Sequence, residues 1–245
     1  MIELSFEMDE LKKIIDTSKI IGSGFYGTTI VYQDKLLKID NYVFNKIKHF
    51  NLFESEKNIM NYYNSSKTDF ANKEQIEYLC SVQENVHLTK LPEGIISLKD
   101  FDNALLGIVI PYHKDYKKLE ELPLDDYKRL LLVLKNLLLE VKELENNKIA
   151  QEDFAGYGND SDINYRNYNV MYHDTHPEII DLSGFFVKVG KDYISSKNMY
   201  RDLSNIFLDY LYLYKIKSGV VRGSITTYEE NMELYKRLEY GLKKK

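Results

Sequence analysis

Three glycines crowd into Gly22-Ser23-Gly24-Phe25-Tyr26-Gly27, and eleven residues after Gly27 a lysine, Lys38, sits inside the apolar run Leu36-Leu37-Lys38-Ile39. Glycines let backbone N–H groups approach phosphate oxygens without Cβ interference, and a strand-borne lysine adds a fixed positive charge beside them. The pairing points to a nucleoside triphosphate site. Dinucleotide-binding turns use the same glycine letters, so the flanking elements must decide between the two.

A dinucleotide fingerprint needs a helix directly after its glycines. Here Thr28-Thr29-Ile30-Val31-Tyr32 is β-branched and aromatic, Gln33-Asp34-Lys35 reads as a tight turn, and 36–39 reads as a returning strand. The glycines therefore belong to a β-hairpin. With Lys38 on the next strand, the chain resembles the protein kinase-like superfamily, in the form of a minimal bacterial or effector-type Ser/Thr kinase. The resemblance implies an α+β, bilobal fold: a small antiparallel-sheet N-lobe over 1–112 and a reduced helical C-lobe over 113–245. It also implies ATP and Mg²⁺ as cofactors and a protein hydroxyl as acceptor.

Phosphoryl transfer asks a protein to hold phosphates, hold Mg²⁺ and orient the attacking hydroxyl. For the phosphates, the resemblance assigns Gly22, Ser23, Gly24, Phe25, Tyr26, Gly27 and Lys38. Ser55-Glu56-Lys57-Asn58-Ile59-Met60 matches the family's helix-C pattern, so Glu56 is the implied partner of Lys38, with Glu54 as the fallback. Tyr112 and His113 fall where the family's hinge meets adenine through its backbone. For the hydroxyl, the family's catalytic aspartate lies nine residues after the leucine closing its long helix, and Leu144 to Asp153 reproduces that count through a short strand at Ile149-Ala150. The usual histidine and arginine before it are Gln151 and Glu152. Without the arginine there is no cation for an activation-loop phosphate, which implies no control of that kind.

For the metal, the family places an asparagine at the opening of one strand and an aspartate at the close of the next. Asn169-Val170-Met171-Tyr172 and Ile179-Ile180-Asp181-Leu182-Ser183-Gly184 fit, making Asn169 and Asp181 the implied Mg²⁺ ligands. The family separates base and asparagine by five residues, whereas Asp153 to Asn169 is sixteen. Either 154–168 carries an insertion, or Asp162 is the base and Asn167 the ligand. Asp153 is favoured because 155–160 reads as inserted loop and leaves no apolar strand to deliver Asp162. Asp202 resembles the family aspartate that holds the catalytic-loop backbone; a helix N-cap is its other reading.

The elements that must position these groups follow from periodicity. A short helix over 9–15 leads into a strand at 19–21, helices are expected over 50–63 and 73–82, and Leu91-Pro92-Glu93-Gly94 reads as a turn. Strands at 95–98 and 105–110 bring the first half to five strands. Ten Leu or Val in the fifteen positions 130–144 require a helix buried on most of its surface. Two short strands, 169–172 and 178–181, are separated by a five-residue turn that holds His173 and His176, which is read as a solvated turn without a third nitrogen or sulfur ligand. Leu203, Ile206, Phe207, Tyr210, Leu211 and Tyr214 share one helix face, and Thr227 with Glu230 has capping-box spacing for a last helix.

Composition bounds the function. The 245 residues carry 33 Lys and Arg against 38 Asp and Glu, net −5, with both signs interspersed, so no basic stripe suits a nucleic acid. The sequence has no run of about 18 apolar residues, and its first residues lack a signal-peptide pattern. The expectation is a soluble protein without membrane association, cytoplasmic in a bacterium or in a host cell if exported. A single cysteine, Cys80, excludes an internal disulfide and reads as a buried small hydrophobe. Three readings besides a protein kinase stay open: a small-molecule kinase of the aminoglycoside or choline type, a nucleotide-binding pseudokinase, and an AMP-transferase. The substrate and oligomeric state are not legible.

Overall fold

The computed structural model describes residues 1–24, 27–49, 57–59, 61–62, 72–99, 105–112, 114–155, 168–182 and 187–244. It is an α+β protein of two compact units. Among the described residues, the first unit holds 1–84 and 91–112, and the second holds 85–90, 114–182 and 187–244.

The first unit is built on a six-stranded sheet. Its strands are β1 (Ile2–Phe6), β2 (Ile20–Ser23), β3 (Gly27–Tyr32), β4 (Lys35–Asp40), β5 (Gly94–Leu98) and β6 (Gly107–Pro111), in the order β1-β5-β6-β4-β3-β2. All neighbours are antiparallel except β1 and β5. The sheet thus has one strand more than the five expected. The alternation Ile2, Leu4, Phe6 supplies β1, and Gly94 lets it in: a Cβ at Gly94 would collide with the Ile2 carbonyl. Gly94 opens β5 instead of ending a turn, because close backbone approach demands it.

Helix α1 (Met8–Thr17) confirms the expected first helix, whereas α2 (Asn41–His49) was not anticipated. Asp40 at the end of β4 caps α2, its Oδ1 accepting the N–H groups of Tyr42 at 2.7 Å and Val43 at 3.3 Å. Leu11 and Ile15 of α1 and Val43, Phe44 and Ile47 of α2 pack with Ile30, Leu37, Ile39, Ile96 and Val109 of the sheet. Of the helix expected over 50–63, the described residues 57–59 and 61–62 are helical and the rest lie outside the described residues. α3 (Lys73–Ser81) begins at the cap Asn72 and matches the second expected helix. Cys80 on α3 is only partly buried, its Sγ 3.2 Å from the Pro92 carbonyl, because the helix leaves that position at the rim of the core.

The second unit is organised by α4 (Tyr127–Asn146), buried along Leu130, Leu134, Leu137, Leu138, Val141 and Leu144. Residues 85–90 belong with it, since the His87 and Leu88 N–H groups donate to Glu143 Oε2 at 3.0 and 2.8 Å. A three-stranded sheet orders β10 (His176–Ile179), β9 (Val170–His173) and β7 (Lys117–Lys118), and β8 (Ile149–Gln151) pairs with β11 (Val187–Val189). The β9–β10 connection is a tight turn at Asp174 and Thr175, made possible by a left-handed Asp174 at φ 54°. His173 and His176 therefore face each other across the strand pair, outside the turn where the spacing had put them.

α5 (Lys197–Leu213) and α6 (Tyr228–Lys243) complete the unit, with Phe207 packed on Tyr235. Thr227 caps α6 as expected: its Oγ1 accepts the Glu230 N–H at 3.3 Å, while Glu230 Oε2 accepts from Thr226 N–H at 3.1 Å. Among the described residues, no helix is long and apolar enough to cross a membrane.

Candidate functional site

Each unit gathers part of the expected site. In the first, β2 and β3 form the expected hairpin, with Gly22 opposite Thr29 and Ser23 opposite Thr28, and its tip is closed by the Gly24 N–H donating to the Gly27 carbonyl at 2.9 Å. Thr29 is in turn opposite Lys38, so Gly22, Thr29 and Lys38 form one row across three strands. Two interstrand steps separate Gly22 from Lys38, about 10 Å between backbones.

The glycines differ in what demands them. A Cβ at Gly107 would lie 2.5 Å from the Lys38 carbonyl, so β6 can pair with the lysine strand only through a glycine there. At Gly22, no described atom lies within 4 Å of where a Cβ would stand, and no positive φ requires glycine. Nothing inside the described chain calls for a glycine at 22, and the strand is exposed there.

Lys38 alternates with the fully buried Leu37 and Ile39 and is itself 8% exposed. Its neighbours along β6 place Tyr112 directly after the strand, half-buried. Phe25, Tyr26, Glu54, Glu56, His113, Asp162 and Asn167 lie outside the described residues.

In the second unit, β8 delivers Asp153 and β9 begins one residue after Asn169. Although sixteen residues apart, the two are joined: Asn169 Nδ2 donates to the Asp153 carbonyl at 2.8 Å, and Asn169 N–H to the Phe154 carbonyl at 2.8 Å. The Asn169 carbonyl then accepts from Ile180 N–H at 2.9 Å, bringing the residue beside Asp181 to the same place. Gln151 ties the third corner, donating from Nε2 to the Asp181 carbonyl at 2.9 Å while its Oε1 accepts Asp153 N–H at 3.3 Å. An amide is suited to this bridge because it offers a donor and an acceptor side by side. Asp181 itself holds a left-handed backbone at φ 65°, an unusual state for a non-glycine residue that costs on the order of 1–2 kcal/mol.

Burial, and after it the nearby charge of Asp181, pushes the Asp153 carboxyl above its ordinary range. A carboxylate whose charge raises the proton affinity of a neighbour marks a place where a cation lowers the energy. Asn169 offers Oδ1 as its acceptor end and Asp181 a carboxylate, both hard oxygen donors suited to Mg²⁺. Among the described residues, no three His, Cys, Asp or Glu side chains cluster to hold a metal. An ion at Asn169 and Asp181 would complete its shell with phosphate and water oxygens, the usual habit of Mg²⁺.

Asp202 lies inside α5, six residues past its cap Ser196, so the N-cap reading is corrected. Its Oδ2 accepts the N–H groups of Phe154 at 3.1 Å and Ala155 at 3.5 Å, fixing the backbone just after Asp153. Burial pushes the Asp202 carboxyl up to about 7, against those two hydrogen bonds and Arg201, which favour its charged form.

Two other contributors were not foreseen as such. Glu140, fully buried in α4, accepts the Thr89 hydroxyl and the Ile179 N–H, the latter at 2.6 Å, and so pins the strand that leads to Asp181. Burial drives its carboxyl well above the usual range. A lone glutamate amid leucines was the signal. Glu152, in place of the expected arginine, accepts Asn198 Nδ2 at 3.1 Å. His173 is exposed and stacks on Tyr116 at 5.5 Å. No protein-family model matches this chain, and no curated protein matches it significantly.

Proposed function

We propose that the protein is an ATP- and Mg²⁺-dependent phosphotransferase of the bilobal protein kinase-like kind, transferring the γ-phosphoryl group to a Ser or Thr hydroxyl of a protein. The observation that carries the reading is the convergence of Asp153, Asn169 and Asp181 through Gln151 and the Asn169 side chain. A sixteen-residue separation closed by two 2.8 Å hydrogen bonds favours Asp153 as base with an inserted segment after it.

In this reading the hairpin N–H groups and Lys38 hold phosphates, and Asn169 Oδ1 with the Asp181 carboxylate holds the ion. Bound Mg²⁺ would supply neutralisation of phosphate charge. Asp153 accepts the proton of the attacking hydroxyl, and its raised proton affinity suits that task near neutral pH. Glu152 bonded to Asn198 occupies the place of a phosphate-binding arginine, in keeping with activity that needs no prior phosphorylation.

The test is incubation of wild type and Asp181→Ala with Mg²⁺ and ATP labelled at the γ- or the α-phosphate, alone and with a cell lysate. Protein label from the γ-position, abolished by the substitution, is the expected result. Label from the α-position means AMP transfer. Nucleotide binding without protein label turns the reading to a small-molecule kinase or a pseudokinase.

A further inference from the structure

The glycine hairpin is tied down by a side chain outside the groups assigned to phosphate. Asn41, the first residue of α2, donates from Nδ2 to the Gly24 carbonyl at 2.7 Å, and its Oδ1 accepts the Thr28 hydroxyl proton at 2.7 Å. The Ser23 hydroxyl lies 3.1 Å from Thr28 Oγ1. With the Thr28 proton committed to Asn41, Ser23 is the donor of that pair. The hydrogen bonds thus run one way, from Ser23 to Thr28 to Asn41 and back to Gly24, the residue next to Ser23.

The ring is built into the fold. Thr28 is 4% exposed, so its hydroxyl needs an internal partner. Asn41 is placed by Asp40, which ends the lysine strand, caps α2 and accepts the Tyr62 hydroxyl at 3.2 Å. The chain therefore turns from Lys38 into α2 within three residues and brings Asn41 to the hairpin tip. An aspartate in its place would aim a second oxygen at the Gly24 carbonyl; only an amide satisfies both neighbours.

We infer that Asn41 is a positioning residue: it fixes the glycine hairpin to the start of the helix that follows Lys38, so that Gly24 and Thr28 are held in place before a nucleoside triphosphate arrives. The inference rests on the nucleotide reading above. Backbone that is already held loses less freedom on binding. The effect accordingly falls on affinity for the nucleotide and leaves the chemical step alone.

Asn41→Asp keeps the shape and removes the donor, and an acid in the first turn suits the N-terminus of α2, which spares folding. Thr28→Val removes the other arm, and Thr28→Ser restores it. The readouts are KM for Mg-ATP against kcat, and Gly24 amide exchange by NMR without nucleotide. Asn41→Asp and Thr28→Val are each expected to raise KM about five- to tenfold with kcat within about twofold, and to speed Gly24 exchange about tenfold. Thr28→Ser is expected to behave as wild type. Unchanged KM in Asn41→Asp overturns the inference, whether or not exchange quickens. A wild type that binds no Mg-ATP in equilibrium dialysis overturns the nucleotide reading instead; Gly24 exchange then decides whether Asn41 holds the tip.

Discussion

Asp202→Asn should flatten the pH dependence of stability between pH 4 and pH 7. The Asp202 side chain is 10% exposed, and burial lifts its carboxyl from an ordinary 3.8 to about 7. Below pH 4 the group is neutral in folded and unfolded chains alike. As pH rises toward 7 the unfolded chain ionises first, so the folded state binds the extra proton and its advantage declines. The contribution is fully present below about pH 4 and lost as pH rises through about 7. At 1.36 kcal/mol per pH unit the whole span is worth about 4 kcal/mol. Asparagine keeps an oxygen for the Phe154 and Ala155 N–H groups and does not titrate. Urea unfolding of both proteins from pH 4 to pH 8 gives the difference in stability at each pH, in which the other buried carboxyls, Glu140 among them, cancel. The variant should gain on wild type steadily up to about pH 7 and gain little further by pH 8. A difference that is flat across this range would refute the burial argument for Asp202.

Three further outcomes follow from the geometry. Gly107→Ala should lower stability by about 1–3 kcal/mol in thermal unfolding, because its Cβ would meet the Lys38 backbone at 2.5 Å with Ile96 and Ile39 close behind. Asp153→Ala should cut phosphoryl transfer by about 10²–10⁴ in kcat while Asp162→Ala changes it little; the reverse order in a steady-state assay would move the base to Asp162. Thr227→Ala should cost about 1 kcal/mol through loss of the α6 cap, read as a lowered unfolding midpoint with the m-value unchanged.

What the chain reveals before folding depends on range. The hairpin, the Lys38 strand and α4 rest on local alternation or periodicity, and those signals survive tertiary context. The strand Ile2–Phe6 has a clear period of two, yet its neighbour is more than ninety residues away, and only the collision at Gly94 reveals the pairing. Helix α2 carries Val43, Phe44 and Ile47 behind a capping Asp40, a pattern overshadowed by its position directly after a strand with no loop between. Asp153, Asn169 and Asp181 were legible as types and spacings. Their joining was not, because Gln151 read as a departure and its two-sided amide acts only once Asp181 arrives from thirty residues away. Asp202 was legible as a holder of the backbone after Asp153, and its second reading as a helix cap fails because α5 already begins at Lys197.

The hydrogen bond from Asn169 N–H to the Phe154 carbonyl at 2.8 Å means that the chain leaves the site and returns to it at one point. The closure cost of such an excursion grows only with the logarithm of its length, about 0.6 kcal/mol for each doubling. Asp202, Gln151 and Asn169 hold both of its ends from the scaffold, so the ends stay fixed whatever length of chain joins them. By the closure term alone, a change in the length of that stretch costs little, which leaves its length open to evolution and to engineering while Asp153, Asn169 and Asp181 keep their hydrogen-bonded frame.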